Sequence, residues 1–393
     1  MTAVAGKAAI TGIGMSAIGR LTNRAAMDHL ADAALEAIAD AGLSRDDIDG
    51  IATYPGRSSH SPGSSPLGVG EVRNALGLKT RWHSGSAEGA AQMSPLMIAA
   101  MAVATGQARH VLCFRALTES SSQTPEKRAS IATGGSDRVG GWLSWLLPMN
   151  ALSASNWTAM FATRYMHEFG LTREQLGAQA IAQRDNALHN PRAVFRKTLT
   201  MDDYLNARMI SSPLGLYDCD IPIDGACVMI ISAIDATRGL RKPPLTIEAF
   251  SAALRSQESW DQRPDLTTMG AHDAAADMWA NTDLTPQDVD VLSLYDGFSI
   301  YVPMWLEAFG FCGHGEAGGF IADGHTRRDG RFPVNTGGGQ LSAGRLHGFG
   351  LLHEACVQLW GEGGGRQVAG ARTAVCGMGG GPLAGAMLIR RRD

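Results

Sequence analysis

Six cysteines are the side chains best suited to nucleophilic chemistry: Cys113, Cys219, Cys227, Cys312, Cys356 and Cys376. They form no C-x-x-C pair, and no Cys/His cluster has the spacing of zinc ligands. The histidines show no paired spacing either, so we expect no metal site. An unpaired thiol is most often a small buried residue of a protein kept in a reducing compartment. We therefore expect these cysteines to be free and buried.

Two runs of glycine, at residues 337–339 and 379–381, form a second kind of candidate site. Glycine allows backbone amides to approach a ligand oxygen closely. Gly338, Gly379 and Gly380 are therefore candidate substrate-binding residues. No Gly-Lys-Ser/Thr sequence follows either run, which argues against a phosphate-binding P-loop.

The composition excludes several classes of protein. Of the 393 residues, 48 are glycine, 45% are hydrophobic and 18% are charged. This is the composition of a folded chain with a sizeable core, not of a disordered one. A net charge of −4 argues against a nucleic-acid partner bound by bulk charge. No apolar run is long enough to span a membrane, and the first residues lack the pattern of a signal peptide, so we expect a cytoplasmic protein.

A weak internal repeat indicates two related halves. Residues 43–51, LSRDDIDGI, correspond to residues 284–292, LTPQDVDVL. In each half a predicted strand precedes a predicted helix, at residues 7–14 and 28–42 and again at residues 244–250 and 272–281. Gly12 and Gly14 lack the rest of a dinucleotide-binding motif, and we interpret them as a turn that ends the first strand.

A second pair of equivalent segments joins a Gly-rich turn to an apolar helix and then to a strand. The predicted segments are residues 84–106 with strand 107–114, and residues 334–360 with strand 370–376. Helices rich in alanine and poor in charge are usually buried on all sides, here between two sheets. The pattern predicts an α/β protein of two pseudo-symmetric βαβ-rich halves, residues 1–242 and 243–393. Residues 118–210 do not repeat and are predicted to be a loop or insertion region.

Several short motifs follow one another in a fixed order. They are SSPL at 211–214, DGA at 224–226, LYDGFS at 294–299, FGFC at 309–312, PVNTGG at 333–338 and QLWG at 358–361. In these motifs the chain resembles the thiolase superfamily, and within it the sterol-carrier-protein X and lipid-transfer-protein branch. The resemblance implies a thiolase fold of five αβαβα layers, a homodimer and an acyl-CoA substrate.

The chain departs from thiolases at the position of the nucleophile. Thiolases carry a cysteine on the turn before the first buried helix, where its thiolate forms an acyl-enzyme. The corresponding residue here is Gly89, or Ser86 in a shifted alignment. The nearest cysteine downstream, Cys113, is predicted to lie in the following strand. We therefore expect no covalent cysteine intermediate.

These departures resemble the steroid side-chain aldolases of the lipid-transfer-protein type, which lack that cysteine. By this resemblance Tyr295 is a candidate proton shuttle and His347 a candidate donor or acid. Arg345 stands where those aldolases have a second tyrosine, and we expect its charge to favour the tyrosinate form of Tyr295. Cys376 lies one residue out of register with a late thiolase cysteine and is a further candidate acid or base.

Each of these residues has a simpler interpretation as well. Tyr295 could line a pocket, Arg345 could form a structural ion pair, and His347 could tie two loops together. Asp296 could hold the amides of a turn, and Cys376 could be a small strand residue. The candidate substrate-binding residues are Gly89, Asp296, Gly338, Gly344, Gly379 and Gly380.

The expected activity is cleavage of a C–C bond in a bulky 3-hydroxyacyl-CoA by a retro-aldol route. Two alternatives remain open: thiolysis or Claisen condensation by an acyltransferase, and a non-catalytic acyl-CoA or lipid-binding subunit. The resemblance also implies a partner protein with an OB-fold and a zinc ribbon. We expect no bound cofactor in this chain, with the coenzyme A thioester as substrate.

Overall fold

The computed structural model describes residues 4–57, 63–85, 91–122, 143–151, 153–255, 260 and 263–392. The described strands are β1 Ala8–Met15, β2 Gly50–Thr53, β3 Trp82–Gly85, β4 His110–Thr118, β5 Met209–Ser211, β6 Leu214–Gly215, β7 Asp224–Ala233, β8 Leu245–Ser251, β9 Val291–Leu294, β10 Thr373–Gly380 and β11 Leu383–Arg391. The described helices are α1 Ala26–Ala41, α2 Val69–Leu76, α3 Ser94–Ala104, α4 Glu119–Ser122, α5 Leu143–Leu146, α6 Ala154–Phe169, α7 Arg173–Leu188, α8 Met201–Leu205, α9 Gly270–Trp279, α10 Tyr301–Ala308, α11 Ala317–Ala322, α12 Gly339–Ser342 and α13 Phe349–Trp360.

The main sheet is symmetric about its centre. Its strand order is β3-β2-β4-β7-β1-β8-β11-β10-β9. Strands β1 and β8 are antiparallel at the centre, where Ala9 pairs with Thr246 and Ile10 pairs with Leu245. Outward from this pair, β7, β4 and β2 on one side correspond to β11, β10 and β9 on the other. The predicted repeat is therefore confirmed, and the two predicted sheets are joined through their first strands.

Alternate residues of the strands supply separate apolar cores, as the period of a β-strand requires. In β7, Cys227, Met229 and Ile231 face a central core that includes α3 and α13. The residues between them, such as Val228 and Ile230, face an outer core with α1 and α2. One face of the first half of the sheet thus covers the middle helices.

The second half of the sheet repeats this arrangement. Cys376 and Met378 of β10 face the central core, whereas Val375 and Leu388 face a second outer core with α9 and α10. The order of layers is α1 and α2, the first half of the sheet, α3 and α13, the second half of the sheet, then α9 and α10. These are the five layers of the thiolase fold.

Strand β4, His110–Thr118, begins three residues later and ends four residues later than the strand predicted at residues 107–114. The end of α3 uses the intervening residues, because Gly106 has a φ of +75° and the Gln107 amide donates to the Ala102 carbonyl at 2.9 Å. The strand then runs through Arg115 to Thr118 because these residues pair with Cys227 to Asp224 of β7, and the charged side chain of Arg115 is buried. The predicted loop after residue 118 begins with helix α4.

Gly12 and Gly14 lie inside β1, so their interpretation as a turn was wrong. Helix α1 crosses β1 at these residues, and a Cβ atom on Gly12 would lie 2.7 Å from the Cβ atom of Ala41. Glycine is required here because the backbones of helix and strand approach closely, not because the chain reverses direction.

The substitution Gly12→Ala tests this contact. We expect it to lower the free energy of unfolding by about 1–3 kcal/mol, because the added methyl group must displace α1. Gly70→Ala is the matched control, since nothing lies within 4 Å of a Cβ atom at that position in α2. Urea unfolding should show a lower midpoint for the first variant and an equal or higher one for the second. Equal midpoints for Gly12→Ala and wild type would contradict the close approach.

Candidate active site

The carboxyl ends of several strands lie near the amino terminus of α13. Tyr295 follows β9 directly, and its backbone amide donates to the carbonyl of Gly377 in β10 at 2.8 Å. Asn335 fixes the same strand end, because its side chain accepts from the Leu294 amide at 2.9 Å and donates to the Leu294 carbonyl at 2.8 Å. Tyr295 is thus held at the carboxyl end of a buried strand, where ligands of α/β proteins commonly bind.

The turn before α13 carries two of the predicted residues, Arg345 and His347. His347 has a φ of +48°, in the left-handed region that residues other than glycine seldom adopt. The Gly348 amide donates to the side-chain oxygen of Gln340 at 2.9 Å, which braces the turn from α12. The turn therefore presents both side chains beside the positive end of a buried helix.

Arg345 is held between two buried carboxylates. Its Nε and Nη2 atoms donate to Oε2 of Glu119 at 2.8 and 2.5 Å, and its Nη1 atom donates to Oδ1 of Asp220 at 3.0 Å. The side chains of Glu119 and Asp220 are 4% and 7% exposed, whereas that of Arg345 is 20% exposed, so two buried carboxylates hold a guanidinium side chain that is partly open to solvent. Arg345 is therefore both an ion-paired residue and part of the cluster around Tyr295.

The hydrogen bonds of His347 define its tautomer. Nη2 of Arg115 lies 2.7 Å from Nδ1 of His347, and Arg is only a donor, so Nδ1 must be unprotonated. Nε2 then carries the hydrogen and faces Oε1 of Glu119 at 3.3 Å. Burial and the charge of Arg115 lower the pKa of His347 to about 4, against the opposing effect of Glu119. His347 is accordingly neutral at pH 7, with both ring nitrogens engaged.

The two carboxylates differ in proton affinity. Burial alone would raise the pKa of Glu119, but Arg345 and His347 hold it well below its usual range. Burial raises the pKa of Asp220 to about 7, and the single bond from Arg345 offsets only part of this effect. Glu119 is thus a fixed anion, whereas Asp220 titrates near neutral pH.

The structure corrects the expectation that Arg345 makes Tyr295 a tyrosinate. Burial raises the pKa of the Tyr295 phenol, and the negative charge of Asp220 raises it further. Arg345 does lower it, in the predicted direction, but its charge is shared by two carboxylates and does not prevail. Tyr295 is therefore a neutral phenol that can donate a proton.

Asp296 lies next to Tyr295 but faces α12. Its carboxylate accepts hydrogen bonds from the Gln340 amide at 3.0 and 2.9 Å and from the Leu341 amide at 3.3 Å. A carboxylate at this place satisfies the free amides of a helix amino terminus. The structure thus places Asp296 in the simpler of its two predicted roles, as a residue that ties the end of β9 to α12.

None of the cysteines is placed as an activated nucleophile. All six lie in the described part of the chain, and burial raises the pKa of each thiol, that of Cys376 to about 12. The side chain of Cys376 packs in the central core near Cys356. Its predicted acid–base role has no support from this position.

The predicted glycines are packed against protein atoms. A Cβ atom on Gly338, Gly344 or Gly380 would lie 2.6 to 2.9 Å from Ala187, Ile223 or Tyr301, respectively. A Cβ atom on Gly379 would lie 2.9 Å from Ala91, and one on Gly348 would lie 3.6 Å from Gln92, so both glycines adjoin the segment that begins α3. Packing accounts for these glycines, and their contact with substrate stays a prediction. Gly89 and Ser86 lie outside the described residues.

Sequence reasoning missed Arg115, Glu119 and Asp220. Arg115 had a detectable signal, because a charged residue within the apolar strand HVLCFRALT requires a buried partner. Glu119 was assigned to a loop, and Asp220 was passed over between Cys219 and the DGA motif. Nothing in their local sequence shows that both carboxylates meet Arg345.

A separate cavity of about 280 Å³ lies behind the turn 344–348. Gly344, Leu346 and His353 line it, but Arg345 and His347 do not. Among the described residues, no group of three or more His, Cys, Asp or Glu side chains could hold a metal ion. No helix in the described ranges is long and apolar enough to cross a membrane.

Five layers with a helix-terminal site between two strand ends define a thiolase-type α/β enzyme. A family model described as "Thiolase C-terminal domain-like" matches residues 252–389. The 17-hydroxy-3-oxo-4-pregnene-20-carboxyl-CoA lyase of Mycobacterium tuberculosis is 35% identical over 369 residues, which are 91% of this chain and 92% of the relative. The steroid side-chain-cleaving aldolase of Thermomonospora curvata is 37% identical, with 90% of each chain covered.

Other relatives point in the same direction, with one difference in chemistry. The solved Ltp2-ChsH2(DUF35) aldolase has a TM-score of 0.87 and 31% identity, with 99% of each chain covered. An acetyl-CoA acetyltransferase of Methanothermobacter thermautotrophicus is 32% identical over 92% of this chain and 93% of its own. The chain therefore belongs to the thiolase superfamily, in the lipid-transfer-protein branch.

The pKa of His347 makes stability depend on pH. An unfolded histidine has a pKa near 6.5, so the unfolded chain binds a proton more readily than the folded one, and stability is lost as pH falls from about 6.5 towards 4. Between pH 7.5 and 5, we expect the free energy of unfolding of His347→Asn to decrease by about 2 kcal/mol less than that of wild type. Asparagine tolerates the positive φ at this position.

Urea unfolding at both pH values measures this difference. The exposed residue His189 provides the control, and His189→Asn should keep the pH dependence of wild type. An equal loss of stability in wild type and His347→Asn would show that His347 is not buried as a neutral imidazole.

Proposed function

We propose that this chain is a coenzyme A-thioester lyase that cleaves a C–C bond of a bulky 3-hydroxyacyl-CoA by a retro-aldol route. The observation that carries the proposal is the neutral phenol of Tyr295 beside the Arg345 cluster, in a chain whose six thiols all have raised pKa values, four of them buried and Cys219 and Cys312 half-buried. The names of the two relatives with 35% and 37% identity, a lyase and an aldolase, support the same class of reaction.

The reaction requires two proton transfers and a stabilised anion, but no acyl-enzyme. A base takes the proton of the 3-hydroxyl group, the bond between C2 and C3 breaks, and an enolate of the thioester forms. A neutral phenol can donate to that enolate and then protonate it, which is the role we assign to Tyr295. The amino terminus of α13 favours negative charge in the same region. The products are a ketone or aldehyde and a shorter acyl-CoA.

The proposal extends to partners. The structural relative with a TM-score of 0.87 is named for a complex of Ltp2 with ChsH2(DUF35). We propose that a DUF35-type protein with an OB-fold and zinc ribbon associates with this chain, and that the chain itself forms a homodimer. Coenzyme A enters as part of the substrate, and the chain needs no resident cofactor.

The second candidate is thiolysis or Claisen condensation. The similarity to an acetyl-CoA acetyltransferase at 32% identity favours it. In thiolysis free coenzyme A is consumed and in the condensation it is released, whereas a lyase forms its acyl-CoA product with no free coenzyme A on either side of the reaction. This difference separates the two candidates in one assay.

A panel of 3-hydroxyacyl-CoAs with steroid, aromatic and branched acyl groups tests the proposal, with and without a co-expressed DUF35-type partner. We expect release of a ketone or aldehyde together with a shorter acyl-CoA, measured by mass spectrometry. Tyr295→Phe should lower kcat by about 10²–10⁴-fold, the usual contribution of a positioned acid. Tyr217→Phe, a tyrosine outside the cluster, should retain activity. Product formation only with 3-ketoacyl-CoA and free coenzyme A would support the acyltransferase instead.

Cys376 provides an independent check on the non-covalent route. Because its thiol packs in the central core, Cys376→Ala should lower the free energy of unfolding by about 1 kcal/mol and leave kcat nearly unchanged. Thermal unfolding and steady-state kinetics of the same preparation give both values. A large loss of kcat in a folded variant would return Cys376 to the mechanism.

A further inference from the structure

The proposed retro-aldol reaction lacks a base among the residues singled out from the sequence. Tyr295 is a neutral phenol and His347 has both nitrogens engaged, one facing Arg115 and the other facing Glu119. Arg345 cannot lose its proton. A group that can take the hydroxyl proton must therefore come from the residues that surround these three.

Two carboxylates pair with Arg345, and their hydrogen bonds distinguish them. Glu119 uses Oε2 for two nitrogens of Arg345, and its Oε1 faces Nε2 of His347. Asp220 uses only Oδ1, which accepts from Nη1 of Arg345 at 3.0 Å. Its Oδ2 atom accepts no hydrogen bond from any described residue. Of the two carboxylates, Asp220 alone has an oxygen left for a proton.

The backbone holds Asp220 between the elements of the site. Its amide donates to the Gly297 carbonyl at 3.1 Å, in the segment that carries Tyr295. The next residue, Ile221, accepts from the Arg345 amide at 2.9 Å and donates to the Gln340 carbonyl at 3.2 Å. These bonds fix the carboxylate relative to both the Arg345 turn and the end of β9.

We propose that Asp220 is the general base of the reaction and that its Oδ2 atom accepts the proton of the substrate 3-hydroxyl group. This inference rests on the proposed retro-aldol activity. The hydroxyl O–H bond breaks, a carbonyl forms at C3, and the electron pair of the C2–C3 bond becomes the thioester enolate. Tyr295 gives its proton to C2, and the proton held by Asp220 replaces it. One proton thus moves from oxygen to carbon, and no oxidant or co-substrate is consumed.

The electrostatic environment suits this role. A general base works best when its pKa lies near the working pH, and burial raises that of Asp220 to about 7. Arg345 opposes the increase and Glu119 adds to it. The other titratable groups that sense its charge are Cys219, Tyr295, Asp296 and Tyr301. An acid with a raised pKa, Tyr295, next to a base with a pKa near 7, Asp220, is the pattern of a matched proton donor and acceptor.

The variant Asp220→Asn tests the inference, because it keeps an oxygen for Arg345 and removes the base. We expect kcat to fall by about 10²–10⁴-fold with little change in KM. In wild type, kcat should fall as pH decreases through about 7, because the base becomes protonated, and this acid limb should be absent from the residual activity of Asp220→Asn. In Asp220→Ala, formate should restore activity in proportion to its concentration, whereas formamide, which can also accept from Arg345 but is not a base, should not.

Asp218 provides the matched control in the same loop. It is also a buried carboxylate, but its oxygens accept from the Tyr204 hydroxyl, from Oγ of Ser299 at 2.6 Å and from the Gly215 amide at 2.7 Å. Asp218→Asn should lower thermal stability and leave the acid limb in place. If wild type cleaves its substrate and folded Asp220→Asn does so equally fast with the same pH profile, Asp220 is not the base. If wild type cleaves no 3-hydroxyacyl-CoA, the proposed function falls and this inference falls with it.

Discussion

The shared ion pair of Arg345 is the interaction on which the site depends. A buried guanidinium requires partners, because an unpaired charge away from water costs several kcal/mol. Its two carboxylates come from distant parts of the chain, Glu119 at the end of β4 and Asp220 in the loop before β7. The ion pair therefore joins the first half of the sheet to the turn before α13. It also makes Glu119 a permanent anion, which in turn holds the hydrogen of His347 on Nε2.

The fold accommodates the charged cluster around Arg345 by placing it at strand ends and helix termini. Tyr295 lies at the carboxyl end of β9, and His347 lies at the amino terminus of α13. Helix α3 carries no charged residue, and Tyr295, Arg345 and His347 lie where the other middle helix, α13, begins. The segment that begins α3 adjoins Gly348 at the start of α13 and Gly379 in β10.

The architecture could be predicted because the internal repeat and the apolar helices are visible in short stretches of sequence. The site could be predicted only in part. Tyr295, Arg345 and His347 were found through short motifs, but their proton positions depend on partners more than a hundred residues away, such as Glu119 for Arg345. A rule based on charge alone predicted a tyrosinate, and burial reversed it. Gly12 was misinterpreted because the local sequence does not show that α1 packs directly against it.

The central pairing of β1 with β8 has a consequence for how the chain reaches its final state. Each half alone would end in an open strand edge, and an open edge pairs readily with other chains. During synthesis the edge of β1 stays uncovered until residues 245–251 have emerged, directly after the first half is complete. The symmetric sheet is therefore a covalently linked counterpart of two half-size proteins associated edge to edge. An ancestor of half the length would have needed a second copy of itself at that edge.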